Sequence, residues 1–160
     1  MILKYEANIR NNHDSRTYFF KDNISIQRRV IFNFPDWESS TNRILKPEIF
    51  SDILIEDTHD CSHVDFANKY IGGGVLRNVI SYIFYLNKGC VQEEIRFLVN
   101  TDLLVTLLFV EKMEDNECVI IKGTERYYKY TGYSDTFKWN GKYNDITSYD
   151  NMGRRDTEII

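Results

Sequence analysis

The sequence predicts an α/β domain, with helices packed on a sheet. Three observations carry the prediction. A short apolar stretch, HVDFA at 63–67, runs straight into three glycines; apolar spacing turns helical from Val91; and CVIIK at 118–122 is a β-branched run of strand length. Strand, glycine loop, helix, helix, strand is the order of helices laid over a sheet.

Along the chain, residues 1–23 are polar and weakly patterned. ISIQRRVIF, 24–32, alternates as a short strand does. FPDWESS follows, and Pro35 with Asp36 and Ser39–Ser40 marks a turn with two anchoring aromatics, Phe34 and Trp37. HVDFA is expected as a short buried strand. Ile95, Leu98, Leu104, Leu107 and Leu108 fall at helical intervals, interrupted near Asn100–Thr101–Asp102. This predicts two consecutive helices, the second capped by Thr101 or Asn100. CVIIK suits a strand in a sheet covered on both faces. TERYYKYTGYSDTFKW brings four tyrosines before Phe137 and Trp139, and TEII closes the chain as another buried strand beginning. There are no internal repeats and no low-complexity linker.

The gross numbers bound the class. At 160 residues, 42% hydrophobic and 28% charged, the chain suits one soluble domain with a sizeable core. A net charge of −4 gives no general attraction for polyanions, so a direct reader of nucleic acid is not expected. An anionic ligand would need a local arrangement of donors. Cys61, Cys90 and Cys118 have no CxxC or Cys/His ligand spacing, which argues against zinc and for free thiols in a reducing compartment. The first twenty residues carry no secretory apolar core. The apolar runs fall far short of the roughly 20 residues a membrane helix needs. An intracellular protein off the membrane, without a metal, is the expectation.

Each candidate site has a plain reading beside a functional one. Gly72–Gly74 could be only a turn. At the end of a strand leading towards a helix, the same glycines can aim backbone N–H groups at phosphate oxygens. They match neither a dinucleotide-fold fingerprint nor a P-loop. Glu93 and Glu94 could be simple helix-start acids, each favoured by roughly 0.3–1 kcal/mol at the positive end of the dipole. Helix neighbours point about 100° apart, so the two cannot easily flank a scissile bond as a conventional glycosidase pair does. If they are catalytic, one is an acid–base and the other a positioner. Gly132–Tyr133 looks like a bend presenting a ring, a platform for a nucleobase. His63 reads as structural, and Cys90 as a small apolar filler.

Read in order, IEDTHDCSHVDFANKYIGGGVL, GCVQEEIRFLVNTDLLVTLLF, DNECVIIKGTERYYKYTGYSDTFKW and RRDTEII resemble the poly(ADP-ribose) glycohydrolase family. The VDFAN–GGG–QEEIRF set is highly specific to it. The resemblance covers most of residues 24–160 except 77–88. It implies a partial macrodomain-like mixed sheet flanked by helices. In that reading residues 51–160 form the N-terminal part of the catalytic macrodomain, and 1–50 are the remnant of an accessory region. The implied activity is hydrolysis of ribose–ribose glycosidic bonds in poly(ADP-ribose) on modified proteins, releasing ADP-ribose. No metal or cofactor is implied, and the setting is the DNA damage response in nucleus or cytoplasm.

The likeness also implies roles by position. Glu94 is the general acid–base, protonating the leaving 2′-oxygen and then activating water against an oxocarbenium-like ribose. Partial burial would tune such a glutamate towards neutrality. Glu93 orients the adjacent ribose, supported by Asp65 and Asn68. Gln92 contacts substrate, and Gly72, Gly73 and Gly74 let backbone approach the ribose and diphosphate. Ile55 and Glu56 match the adenine-binding pair, and Tyr133 the aromatic contact with the nucleotide.

Two features depart from the family pattern. RNVISYIFYLNK, 77–88, separates GGGVL from GCVQEE, where the family has a couple of residues and one compact loop. VISYIFYL has the composition of a buried strand, and Ile, Asn, Tyr, Phe, Leu and Lys can be written largely in A/T-rich codons, so the expectation is that RNVISYIFYLNK is translated intron. The family also continues past the position of Ile160, with strands carrying a second glycine-rich diphosphate loop. The expectation is therefore an incomplete and interrupted catalytic domain whose sheet has an exposed edge. The alternative is an inactive fragment or a non-catalytic ADP-ribose-binding module.

Overall fold

The computed structural model describes residues 23–65, 68–76 and 90–160, together with the backbone of 3–7. The expected interruption at 77–88, and Phe66 and Ala67 of HVDFA, lie outside the described residues. In chain order the elements are β1 (Leu3–Ala7), β2 (Ile24–Val30), a 3₁₀ turn (Ile55–Asp57) and β3 (Ser62–His63). Next come α1 (Gln92–Val99), a 3₁₀ helix (Thr101–Leu108), β4 (Glu117–Gly123), β5 (Tyr128–Thr131), β6 (Lys138–Lys142) and β7 (Arg155–Ile159). No helix among the described residues is long and apolar enough to cross a membrane.

The fold is α/β with a mixed sheet of order β1-β2-β4-β7-β3. Its pairs are antiparallel except β3 with β7, which is parallel. β5 and β6 form a separate antiparallel hairpin. β2 runs along β4 from Ser25↔Lys122 to Val30↔Glu117, so the stretch before residue 50 contributes a strand to this sheet. β1, in a segment without sequence pattern, pairs antiparallel with β2.

β4 corrects the reading of CVIIK as a strand covered on both faces. Val119 and Ile121 are buried, whereas Cys118, Ile120 and Lys122 are half-buried. Strand side chains alternate between faces, and only one face of β4 lies on the main core. TEII does belong to a strand, β7, which lies between β4 and β3 within the sheet. Of the described residues of HVDFA only His63 lies in a strand, β3, and Val64 is 50% exposed. The pairing ends there because β3 meets only the last turn of the pleat in β7, Ser62↔Glu158 and His63↔Ile159. Around FPDWESS, Asp36 Oδ1 accepts the N–H groups of Glu38 and Ser39, as a turn requires. Phe34 and Trp37 do not anchor it: both are well exposed, because this segment has left the sheet.

α1 lies between two clusters. Phe97 joins Val75, Leu103 and the sheet residues Ile26, Val119, Ile121 and Ile159. Ile95 and Val99, one turn apart, pack on the other side with Cys90, Tyr130 and Phe137. Each such aliphatic side chain contributes about 1.5–3 kcal/mol by leaving water. The second predicted helix is a 3₁₀ helix, with Leu103 and Thr106 buried three residues apart. Asn100 stands at its N-cap position but makes no side-chain cap; it is buried, and its N–H continues the α1 ladder to the Arg96 carbonyl.

Candidate active site

The glycine turn and the start of α1 meet despite the distance between them in sequence. Gly72 and Gly73 both have positive φ, 81° and 51°, a backbone region that only glycine enters freely. Gly72 faces the core: a Cβ there would stand 2.9 Å from Leu107 Cδ2 and 3.0 Å from Phe97 Cε1. Gly73 faces the glutamates: its Cβ would stand 2.6 Å from Glu93 Oε2 and 3.2 Å from Glu94 Oε1. Val75, at the end of the turn, is buried beside Phe97 and pins the turn to the core.

The two glutamates are placed differently, as neighbours on a helix must be. Glu94 is 6% exposed and fully engaged. Its Oε1 accepts the Gly74 N–H at 3.1 Å, and its Oε2 accepts the Val91 N–H at 3.0 Å. The second bond is half of a capping box, because valine has no side-chain oxygen to return it. Glu93 is half-buried, and its Oε1 is buried with no hydrogen-bond partner. Burial first, then the nearby Asp65, raise its carboxyl from 4.5 to about 7; the backbone of Gly72 and Gly73 pulls the other way. Asp65 is also raised, by burial, and Arg96 opposes that rise. The parallel β3–β7 pair fixes Asp65, whose N–H donates to the Ile160 carbonyl at 2.7 Å.

A cleft opens over this cluster, lined by Ile55, His63, Val64, Asp65, Gln92, Glu93, Arg96 and Ile159. Five of the eleven expected site residues thus share one wall or lie against it through side chains: Ile55, Asp65, Gln92, Glu93 and, behind them, Glu56. Glu56 is 6% exposed and accepts from Gln92 Nε2 at 2.7 Å and Tyr130 Oη at 3.2 Å. Its carboxylate therefore ties the 3₁₀ turn to α1 and to β5. Asn68 is exposed, and its Oδ1 accepts the Tyr70 N–H at 3.3 Å. It is not part of the cleft lining. Tyr133 is 52% exposed at the expected bend, where Gly132 has φ 76° and Ser134 φ 52°. Its N–H donates to Thr136 Oγ1, and its carbonyl accepts from the same hydroxyl.

His63 lines the cleft as well as serving structure. Its Nε2 meets Thr58 Oγ1 at 2.8 Å, and burial followed by the Arg96 charge lowers its pKa. Sequence reading passed over Tyr130 and Arg96. Tyr130 looked like one packing tyrosine among several. Arg96 sits in the apolar IRF of QEEIRF, four residues after Gln92 and three after Glu93. That spacing was the available sign that it shares their helix face.

Residues 34–160 match the family of poly(ADP-ribose) glycohydrolases, described with a macro domain fold. The chain belongs to the poly(ADP-ribose) glycohydrolase family. It is 40% identical over 141 residues to poly(ADP-ribose) glycohydrolase 1 of Arabidopsis thaliana, an alignment covering 86% of this chain and 24% of that protein. It is 39% identical over 132 residues to poly(ADP-ribose) glycohydrolase 1 of Caenorhabditis elegans, covering 78% and 16%. Poly(ADP-ribose) glycohydrolase 2 of the same worm is 36% identical over 126 residues, covering 75% and 24%. The chain thus spans a quarter or less of the length of these relatives. The mixed sheet with α1 packed on it agrees with the family fold.

Proposed function

We propose that this chain carries a poly(ADP-ribose) glycohydrolase site that hydrolyses ribose–ribose glycosidic bonds and releases ADP-ribose. The observation that carries the reading is the closure of the glycine turn on the glutamates. Gly73 lies where any Cβ would collide with Glu93, and Gly74 donates to Glu94. A glycosidase needs carboxyl groups held beside the sugar, and glycine backbone beside them lets the substrate approach closely. In this reading Ile55 and Glu56 lie on the adenine side, Asp65 and Asn68 support the ribose, Gln92 contacts substrate beside them, and Tyr133 stacks on the base. The partner is poly(ADP-ribose) on modified proteins, in the nucleus or cytoplasm.

By family position, Glu94 is the general acid–base and Glu93 orients the ribose. One observation favours exchanging those roles: Glu93 has a free buried oxygen and a carboxyl raised to about 7, the range that suits proton transfer at neutral pH. Incubating the purified chain with poly(ADP-ribose), beside Glu93→Gln and Glu94→Gln, tests both assignments. Release by the parent, lost by on the order of 100-fold or more in one variant, names the proton donor. Binding without release makes the chain an ADP-ribose-binding module, and neither binding nor release defeats the proposal.

A further inference from the structure

Arg96 is 8% exposed on the Gln92–Glu93 face of α1, and its side chain forms part of the cleft wall. Its buried Nε has no partner, and no hydrogen bond or ion pair from its guanidinium reaches any described residue. The other buried arginine nearby is different. Arg126, 6% exposed, pairs with Asp57 at 2.6 Å, donates to the Tyr128 carbonyl and stacks on Tyr143 at 4.2 Å. Arg28, Arg29 and Arg155 also bury an unpartnered Nε, but each spends a terminal nitrogen on a hydrogen bond. A desolvated, unpaired cation is costly. Packing alone does not call for one at a helix position where leucine or methionine would fit.

The guanidinium stands between two spaces. Arg96 and His63 line both the cleft and a second cavity, which Glu56 and Asp145 share. The buried acid of that second cavity is already engaged, because Glu56 accepts from Gln92 and Tyr130. Asp145 accepts the N–H groups of Arg126 and Thr147. The cleft offers groups of both kinds instead: the guanidinium as donor, and the carboxyl groups of Glu93 and Asp65 as acceptors, with Glu93 Oε1 unpartnered. A ligand suited to these walls accepts from a cation and donates to a carboxylate. An ionised phosphate cannot donate and would face both acids, whereas a sugar hydroxyl does both.

We propose that Arg96 is a substrate-binding residue of this cleft: its guanidinium donates to a hydroxyl of the ribose held beside Glu93, and the sugar hydroxyls donate in turn to the carboxyl groups of the cleft. The spacing fits, since Arg96 follows Glu93 by three positions and shares its helix face. The inference deepens the glycohydrolase reading and rests on it for the identity of the sugar, the terminal ribose that ADP-ribose carries and ADP lacks.

Calorimetry of the parent, Arg96→Lys and Arg96→Met with ADP-ribose and with ADP tests it. Arg96→Met is expected to weaken ADP-ribose binding by on the order of 10-fold or more, the worth of a hydrogen bond to a charged group, while ADP binding holds. Arg96→Lys keeps a donor and should restore part of the loss. No loss for ADP-ribose, or an equal loss for both ligands, overturns the proposal. If the variants do not fold, NMR of the parent decides: the Arg96 Nε–H resonance should move with ADP-ribose and stay in place with ADP, and any other pattern overturns the assignment. A parent that binds ADP-ribose through Arg96 but releases none from poly(ADP-ribose) sinks the glycohydrolase reading and leaves this contact standing. A parent that turns over poly(ADP-ribose) beside an equally tight-binding Arg96→Met sinks the contact alone.

Discussion

The N–H of Gly74 donates to Glu94 Oε1 at 3.1 Å, joining positions twenty apart in sequence. With the reciprocal bond from Val91 to Oε2, this carboxylate closes the glycine turn against the start of α1. One side chain thus caps a helix and shapes a site.

Gly73→Ala is expected to break that closure. The new Cβ would meet Glu93 Oε2 at 2.6 Å from a backbone at φ 51°. Strain of this kind costs about 1–3 kcal/mol, and a displacement of about 1 Å costs on the order of 100-fold in rate. Thermal melts and ADP-ribose release measure the two effects, and a variant with parental activity would show that the glutamates do not depend on the turn.

Tyr130→Phe removes the hydroxyl that donates to Glu56 Oε2, while its ring keeps its packing near Phe137 at 5.7 Å. A buried carboxylate that loses a donor costs about 1–3 kcal/mol. Urea denaturation should show that loss. Binding of ADP-ribose should weaken too, because Glu56 also holds Gln92. Unchanged stability would mean that water replaces the hydroxyl.

Tyr133→Ala should weaken ADP-ribose binding by about 1–3 kcal/mol, the worth of one base stacked on an aromatic ring. Because the ring is half exposed, the melting temperature should barely move. Gly132→Ala should do the reverse, since a Cβ there would stand 2.1 Å from the Thr136 carbonyl oxygen and unseat the bend. Calorimetry with ADP-ribose beside thermal melts separates the pair.

Stability should fall as pH rises from about 4.5 to about 7. In that window the folded chain keeps a proton on Glu93 that the unfolded chain has released. The penalty is complete above about 7, and Asp65, also raised, adds in the same direction. His63, lowered from 6.5, works oppositely by favouring higher pH. Glu93→Gln should therefore gain more stability at pH 8 than at pH 5 relative to the parent. An equal gain at both pH values would show that Glu93 is not the titrating group.

Local pattern was enough for much of this. The alternation of ISIQRR, the β-branched CVIIK, the helical spacing after Val91 and the bend at Gly132–Tyr133 each depend on near neighbours in the chain, and each is present. The pairing of GGG with QEE came from likeness to the family, and the distance from Gly74 to Glu94 agrees with it. Where local pattern failed, the deciding partner was remote. Phe34 and Trp37 found no core to anchor in, HVDFA met only the end of β7, and Asn100 was buried before it could cap.

What the sequence determined by itself was a subset of the elements, β2, α1, β4 and β7, because helix and strand periods are properties of short segments; β1 and the β5–β6 hairpin carried no such pattern. What only the tertiary structure decided was the division of labour within the site. Two adjacent glutamates differ because one turns to backbone N–H groups and the other to Asp65. An arginine in an apolar run becomes an unpaired buried cation because α1 packs that face over the cleft. Burial and charge proximity are set by segments far apart in the chain, and no local pattern encodes them.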